Sequence, residues 1–166
     1  MKVFFALVVI VALVMASVGS LWPRTIAAFE NSGHSPITDF VGTKVITKVI
    51  DGDTVIAEGE SIRLLGIDTD ERGYPCYAAA KARLEELVLG KEVRLEADAE
   101  DKDKYGRYLR FIFVNDTNVN LLMVAEGFAI ARFSPENTLY KEEILAAEEA
   151  ARHAGTGCKW AQSKAL

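Results

Sequence analysis

The chain has 166 residues, which is enough for one domain with a terminal appendage. Half of the residues are hydrophobic and 26% are charged, as in an ordinary globular core. The formal net charge of −5 argues against a generally basic nucleic-acid-binding platform, although it leaves room for an enzyme with a local basic cluster.

The first 22 residues predict an export signal. Lys2 is followed by an uncharged run at 3–18 and then by small residues, as in a signal peptide. The uncharged run continues to Trp22 and approaches the roughly 20 residues that span a bilayer. We therefore predict an extracytoplasmic protein that is either secreted after cleavage or anchored in the membrane by this N-terminal hydrophobic helix. Residues 23–42, of mixed composition, would form a linker.

The sequence contains two cysteines, Cys76 and Cys158. In an exported protein an even number of cysteines favours a disulfide. Such a bridge would close a loop of about 80 residues and contribute roughly 4–5 kcal/mol in the chain-entropy model. The alternative is two unpaired thiols whose Cα atoms lie too far apart. We favour the bridge because its formation depends on export.

Strand-like segments begin at residue 43. Residues 43–50 are rich in β-branched side chains, and the Asp-Gly pair at 51–52 predicts a tight turn. Residues 54–57 and 61–65 would continue an antiparallel meander. In its third strand Arg63 lies on the same apolar face as Leu65, so it needs an anionic partner from the protein or a ligand.

Helices and strands follow in the rest of the chain. Apolar residues at helical spacing predict helices at 78–89, 120–126 and 139–153, and alternating residues predict strands at 91–97 and 108–114. Five strands, with a helix between the third and the fourth, predict an α+β fold that is mainly β. We expect a small closed five-stranded barrel of the OB type with about three helices over residues 43–160, and a short tail at 161–166.

Two acidic runs carry the candidate chemistry, DGDT at 51–54 and RLLGIDTDE at 63–71. If folding brings them together, each pair of like charges about 4 Å apart costs roughly 4 kcal/mol at an effective dielectric near 20. A bound Ca²⁺ or Mg²⁺ would remove this cost, because both ions take carboxylate oxygens as ligands. Taken alone, the first run is explained as well by a hairpin turn as by a metal site. The second run, taken alone, is typical of an acidic loop that faces solvent.

The order DGDT, RLLGIDTDE, DKYGR and a final G-x-x-W-like tail resembles the staphylococcal nuclease (thermonuclease) family over about residues 44–160. This resemblance implies an OB-fold barrel and a Ca²⁺-dependent phosphodiesterase activity on DNA and RNA. It also implies a site of eight residues in four roles: calcium ligands at Asp53, Asp68 and the carbonyl of Thr69, water activation by Glu71, binding of the scissile phosphate by Arg63 and Arg107, and contacts to a further phosphate from Lys104 and Tyr105.

The chemistry of these residue types agrees with the implied roles. Calcium accepts oxygen ligands in loose geometry, so carboxylates, a carbonyl, waters and a phosphate oxygen can share it. A guanidinium donates two parallel hydrogen bonds, which suits the charge that develops on phosphoryl oxygens. A carboxylate near the attacking water can orient it or accept its proton.

The chain departs from the staphylococcal enzyme in three places. Asp70 replaces a proline; we favour a carboxylate that faces solvent, and the alternative is an additional metal ligand. The loop after Glu71 is shorter. Ala131 and Phe133 stand where tyrosines lie near the nucleotide, so that Phe133 could still stack on a base without a hydroxyl contact.

The predicted function is an exported Ca²⁺-dependent phosphodiesterase that hydrolyses DNA, RNA or both with little sequence preference, by metal-assisted attack of water. We expect it to act as a monomer on its nucleic-acid substrate, with a membrane contact if the N-terminal segment is uncleaved. The alternative is a non-catalytic OB-fold module that binds nucleic acid or protein. That alternative predicts the loss of at least one catalytic position, and none is lost.

Overall fold

The computed structural model of the protein describes residues 40–161. Eight strands lie in this range, and five of them build the wall of a barrel. The strands are β1 (Gly42–Val49), β2 (Thr54–Ala57), β3 (Glu60–Leu64), β4 (Ile67–Asp68), β5 (Glu92–Glu96), β6 (Tyr108–Val114), β7 (Thr117–Asn118) and β8 (Ile130–Ala131). The helices are α1 (Tyr77–Val88), α2 (Val119–Ala125), α3 (Lys141–Ala154) and the short α4 (Gly157–Trp160).

The first three strands form the predicted antiparallel meander. β1 pairs with β2 near its end, where Val49 lies opposite Val55, and with β5 near its start, where Gly42 lies opposite Leu95. The register of β1 against β2 shifts between Ile46 and Lys48. An irregularity of this kind bends a strand, which lets one long strand serve two sides of a closed barrel.

The barrel closes through a parallel pairing of β3 with β6. The sheet runs β3-β2-β1-β5-β6, with β7 added at its edge, and the β3–β6 contact joins its two ends. Within this pairing Arg63 lies opposite Leu109. The predicted five-stranded OB-type barrel is therefore confirmed, and closure places the arginine of β3 next to the segment that leads into β6.

The core fills the barrel and extends beneath α1 and α2. Its fully buried side chains include Ile46, Val55, Ile62, Leu84, Val88, Phe111, Ile112 and Met123. Burying one such aliphatic or aromatic side chain contributes about 1.5–3 kcal/mol. The core thus fixes the strand ends from which the acidic runs emerge.

Among the differences from the sequence expectations, three concern the start of the domain and the last long helix. Phe40 is buried and stacks on Tyr108, with ring centroids 4.5 Å apart, so the packed domain begins before the predicted boundary at residue 43. α3 begins at Lys141 because Tyr140 adopts a left-handed backbone with φ of 60°. The apolar spacing of the predicted helix at 139–153 also turns Leu145 inward, but Leu145 is 44% exposed.

The predicted signal or anchor at 1–22 and nearly all of the predicted linker lie outside the described residues. Within residues 40–161, no helix is long and apolar enough to cross a membrane.

Candidate active site

The two acidic runs meet at Asp53. One oxygen of its carboxylate, Oδ2, accepts hydrogen bonds from the backbone N–H and the hydroxyl of Thr69, both at 2.9 Å. The other, Oδ1, accepts the Thr54 hydroxyl at 3.2 Å. Asp53 is only 7% exposed. The turn after β1 and the loop after β4 are therefore joined through one buried carboxylate.

Arg63 lies between the two carboxylates that sequence analysis assigns to a metal. Its Nε is 3.2 Å from Asp53 Oδ1, and its Nη2 is 3.0 Å from Asp68 Oδ1. The same guanidinium donates to the carbonyl oxygens of Leu64 at 2.7 Å and Ile67 at 2.9 Å. The anionic partner expected for this arginine is thus supplied by the protein, and the guanidinium is held in one orientation.

Burial dominates the electrostatics of Asp53. It raises the pKa of the carboxyl group, the Arg63 guanidinium lowers the pKa by less, and the nearby Asp51 raises it further. The pKa of Asp53 is therefore above its ordinary value, and the ionised form gains from any additional cation that approaches it.

The donor set around Asp53 and Asp68 fits a hard divalent cation. Both side chains offer carboxylate oxygens, and Thr69 is held against Asp53 by two hydrogen bonds. Oxygen donors of this kind suit Ca²⁺ or Mg²⁺. Within residues 40–161 no three His, Cys, Asp or Glu side chains converge as metal ligands, so carbonyl, water and substrate oxygens would have to complete the shell.

A cleft of about 310 Å³ opens beside Arg63, and three arginines line it. Arg107 donates from Nε to Asp103 Oδ2 at 2.7 Å, and its side chain is 30% exposed. Arg132 donates from Nη1 to Asp68 Oδ2 at 2.9 Å, and its side chain is 70% exposed. The cleft therefore presents three guanidinium groups, each paired with a carboxylate.

Arg132 and Asp103 were not assigned to the site from the sequence. Arg132 reaches Asp68 because β8 pairs with β4, where Ile130 lies opposite Asp68. Strands of two residues give no periodic signal, so this pairing has no sequence signature. Asp103 belongs to the DKYGR run, where its spacing of four residues to Arg107 is a signal that could have been used.

The other predicted site residues lie at exposed positions. Glu71 is exposed in the loop that also carries Thr69, and its carbonyl accepts the backbone N–H of Tyr74 at 3.0 Å. Lys104 is exposed, with Nζ 5.0 Å from the centroid of the Tyr105 ring, which is itself 72% exposed. These three residues do not line the cleft. The structure thus brings Arg63, Asp53, Asp68 and Thr69 into contact and places Arg107 in the same cleft.

Phe133 lines the cleft and packs against Gly66, which leaves no space for a side chain at Gly66. An ideal Cβ on Gly66 would lie 2.8 Å from Phe133 Cε1. An apolar ring on the wall of a cleft lined by arginines is a surface on which a base can stack.

Asp70 neither faces solvent freely nor lies among the candidate metal ligands. Its Oδ2 accepts the backbone N–H of Cys76 at 2.9 Å, and its Oδ1 pairs with Lys159 Nζ. Burial alone would raise the pKa of Asp70, but the hydrogen bonds from Lys159 and Cys76 outweigh it and lower the pKa. Solvent exposure, the favoured expectation for this residue, is therefore wrong.

The two cysteines are joined. Cys76 and Cys158 form a disulfide with their Cα atoms 5.4 Å apart. The bridge connects the start of α1 to α4, next to the Asp70–Lys159 pair.

Comparison with known proteins gives a consistent result. The family model described as "Staphylococcal nuclease homologue" matches residues 61–162. The chain is 37% identical over 126 residues to the thermonuclease of Staphylococcus intermedius, covering 69% of this chain and 75% of that protein. It is 28% identical over 156 residues to the thermonuclease of Staphylococcus hyicus, covering 88% and 90%. It is 34% identical over 119 residues to endonuclease YncB of Bacillus subtilis, covering 64% and 56%.

Proposed function

Since the chain belongs to the staphylococcal nuclease family and is therefore a nuclease, we propose that it is an exported, calcium-dependent enzyme that hydrolyses DNA, RNA or both with little sequence preference. The observation that carries this proposal is the position of Arg63, which contacts Asp53 and Asp68 and lines the cleft that also contains Arg107. Export is supported by the signal-like pattern of residues 1–22.

Calcium would be held by the carboxylates of Asp53 and Asp68 and the carbonyl of Thr69. When bound, it supplies a Lewis acid that polarises the phosphoryl oxygen and a template for substrate and water. Because all three groups provide oxygen, the protein ligands match the preference of the ion.

The arginines bind the phosphodiester. Arg63 and Arg107 donate hydrogen bonds to its phosphoryl oxygens, and these bonds strengthen as negative charge builds up during attack by water. Before substrate binds, both guanidinium groups are oriented by carboxylates, Arg63 by Asp53 and Asp68 and Arg107 by Asp103. If Asp53 and Asp68 hold the ion, Arg63 would exchange these two carboxylates for the oxygens of the phosphate.

Glu71 serves the attacking water. Its carboxylate orients the water or accepts its proton as the bond from the water oxygen to phosphorus forms. The bond to the leaving oxygen breaks on the opposite side of phosphorus, and that oxygen takes a proton from solvent. Glu71 follows Thr69 by two residues in one loop, so the same segment supplies a metal ligand and the base.

The test is digestion of single-stranded DNA and RNA by the purified protein, with calcium and with a chelator. We expect cleavage only with calcium, and at least a 100-fold lower kcat for Glu71→Gln, the scale of losing one acid–base group. Glu92→Gln, which changes an exposed carboxylate on β5, is the matched control. Equal digestion in the presence of the chelator would remove the metal from the mechanism.

A further inference from the structure

The loop after β4 is tied to the C-terminal segment at Asp70, between the candidate metal ligand Thr69 and the candidate base Glu71. The Asp70 carboxylate binds the backbone N–H of Cys76 through one oxygen and pairs with Lys159 through the other. The Asp70 side chain is only 20% exposed and the Lys159 side chain only 15%. A single carboxylate thus connects the middle of the loop to the start of α1 and to α4.

A covalent tie lies beside this ionic one. Cys76, whose N–H binds Asp70, is bridged to Cys158, the residue before Lys159. The far side of the tie is itself fixed, because the backbone N–H of Lys159 donates to the Gly127 carbonyl at 3.0 Å. Asp70 is therefore held by a segment that is anchored to the turn after α2.

The ties act where the loop has few other contacts with the barrel. Thr69 is held by Asp53, but the residues from 71 to 75 are all exposed. Asp70 is the last residue before this exposed stretch, and its own partly buried carboxylate holds it in place. The side chain of Asp70 is thus tied to the protein directly between Thr69 and the exposed stretch that begins at Glu71.

We propose that Asp70 and Lys159, together with the Cys76–Cys158 disulfide, are a positioning clamp that holds the loop in the geometry needed to bind calcium and to place Glu71. The inference rests on the proposed function for the identity of the ion. It makes calcium affinity depend on two residues outside the ligand set and on the oxidised state of the two cysteines. Such a dependence suits an enzyme that works in an oxidising compartment.

The ionic tie is tested with Lys159→Met, using Lys44→Met as the matched control. Lys44 lies on β1 and pairs with Glu58 at 2.8 Å, so its removal breaks an ion pair that involves no residue of the loop. We expect Lys159→Met to weaken calcium binding, measured by calorimetry without substrate, about 10-fold, as for residues that orient metal ligands from outside the coordination shell. Lys159→Arg should restore most of the affinity, and Lys44→Met should bind calcium as the unmodified chain does.

The covalent tie is tested by reduction and by the double variant Cys76→Ser, Cys158→Ser. Both should weaken calcium binding, and the reductant should have no further effect on the double variant. Lys159→Met combined with reduction should weaken the free energy of calcium binding by less than the sum of the two separate effects, because both ties act on one loop.

A readout without metal separates this inference from the proposed function. Amide hydrogen exchange at residues 69–71 of the metal-free protein should be faster in Lys159→Met than in Lys44→Met. A lowered Tm with unchanged calcium affinity and unchanged exchange at 69–71 would show a merely structural pair and overturn the clamp. A protein that binds no calcium in any form, yet shows faster exchange in Lys159→Met, would instead refute the calcium proposal.

Discussion

Asp103 orders both a turn and an arginine side chain of the cleft. Its Oδ1 accepts the backbone N–H groups of Tyr105 and Arg107, at 2.9 and 3.1 Å, and its Oδ2 accepts the Arg107 side chain at 2.7 Å. The turn and the guanidinium are thus ordered by the same group. Arg107 therefore enters the cleft with little side-chain freedom left to lose in the phosphate binding proposed for it.

Replacing Arg107 should mainly lower turnover. We expect Arg107→Ala to reduce kcat about 100- to 1,000-fold, the scale of losing one donor to developing negative charge. Arg107→Lys should recover only part of this loss, because an ammonium cannot make two parallel hydrogen bonds. Steady-state kinetics on a short single-stranded oligonucleotide would measure both effects.

Arg152→Ala is the control for this pair, since Arg152 lies on the exposed side of α3 and pairs with Glu149. It should leave kcat unchanged. Normal turnover in Arg107→Ala would assign phosphate binding to another arginine of the cleft, with Arg132 the first to examine.

At the scale of elements, the turn between β3 and β4 forms one wall of the cleft. Gly66 lies in this turn with φ of 74°, and its carbonyl accepts the backbone N–H of Arg132 at 2.9 Å. A Cβ there would lie 2.8 Å from Phe133 and 3.0 Å from Ile144 on α3. The position therefore combines a left-handed backbone with close packing against two other segments.

Gly66→Ala should destabilise the fold through both features. The left-handed backbone costs about 1–2 kcal/mol for a residue with a Cβ, and overpacking costs about 1–3 kcal/mol more. Gly59→Ala isolates the first cost, because Gly59 has φ of 86° and no atom within 4 Å of an added Cβ. Denaturant unfolding should place Gly66→Ala below Gly59→Ala by about 1–3 kcal/mol; equal losses would mean that the cleft wall yields freely.

The elements themselves could be predicted because their residues repeat at regular spacing. The predicted ends of β2 and β6 agree with the structure, and α1 buries Ala80, Leu84 and Val88 as its spacing indicated. β6 is different, since six of its seven residues are buried and alternation disappears. Its fully buried Arg110 was not recognised. Its partners include the Phe40 carbonyl, 70 residues away, and Asp101 in the irregular segment before the strand, and neither contact follows from periodicity.

The contact between the two acidic runs was predictable to the same extent, whereas the roles of their residues were implied by the family resemblance and stay predictions. Asp53, Asp68 and Arg63 follow from two short runs that a local meander brings together. Arg132 and the Asp70–Lys159 pair depend on contacts between segments far apart in the chain. Without an element pattern to align those segments, residue chemistry alone gave no reason to pair them.

At the scale of the whole molecule, net charge conceals the local field. The chain carries −5 overall, yet its cleft is lined by three arginines. Each of them is paired with a carboxylate in the protein as it stands, so the three positive charges do not form a broad basic surface. Binding should depend on exchanging carboxylates for phosphates in the cleft.

These paired carboxylates also make the stability of the molecule depend on pH. Burial alone would raise the pKa of Asp103. Hydrogen bonds from the Arg107 side chain and from backbone N–H groups outweigh this effect, so the pKa lies below its ordinary value. A carboxyl group whose pKa is lower in the folded state stabilises the fold above its unfolded pKa, near 3.9. That contribution is lost as the pH falls through the folded pKa.

We therefore expect Asp103→Asn to be less stable than the unmodified protein by a constant amount between about pH 5 and 8, with the difference shrinking below about pH 4. Urea unfolding in chelator-containing buffer measures it, since bound metal would add its own pH dependence. Glu136→Gln, which changes an exposed carboxylate ahead of α3, should show a much smaller difference at every pH. If the Asp103→Asn difference instead persisted down to pH 2, the carboxylate would be stabilising the turn by its shape rather than by its charge, and Arg107 would owe its orientation to other contacts.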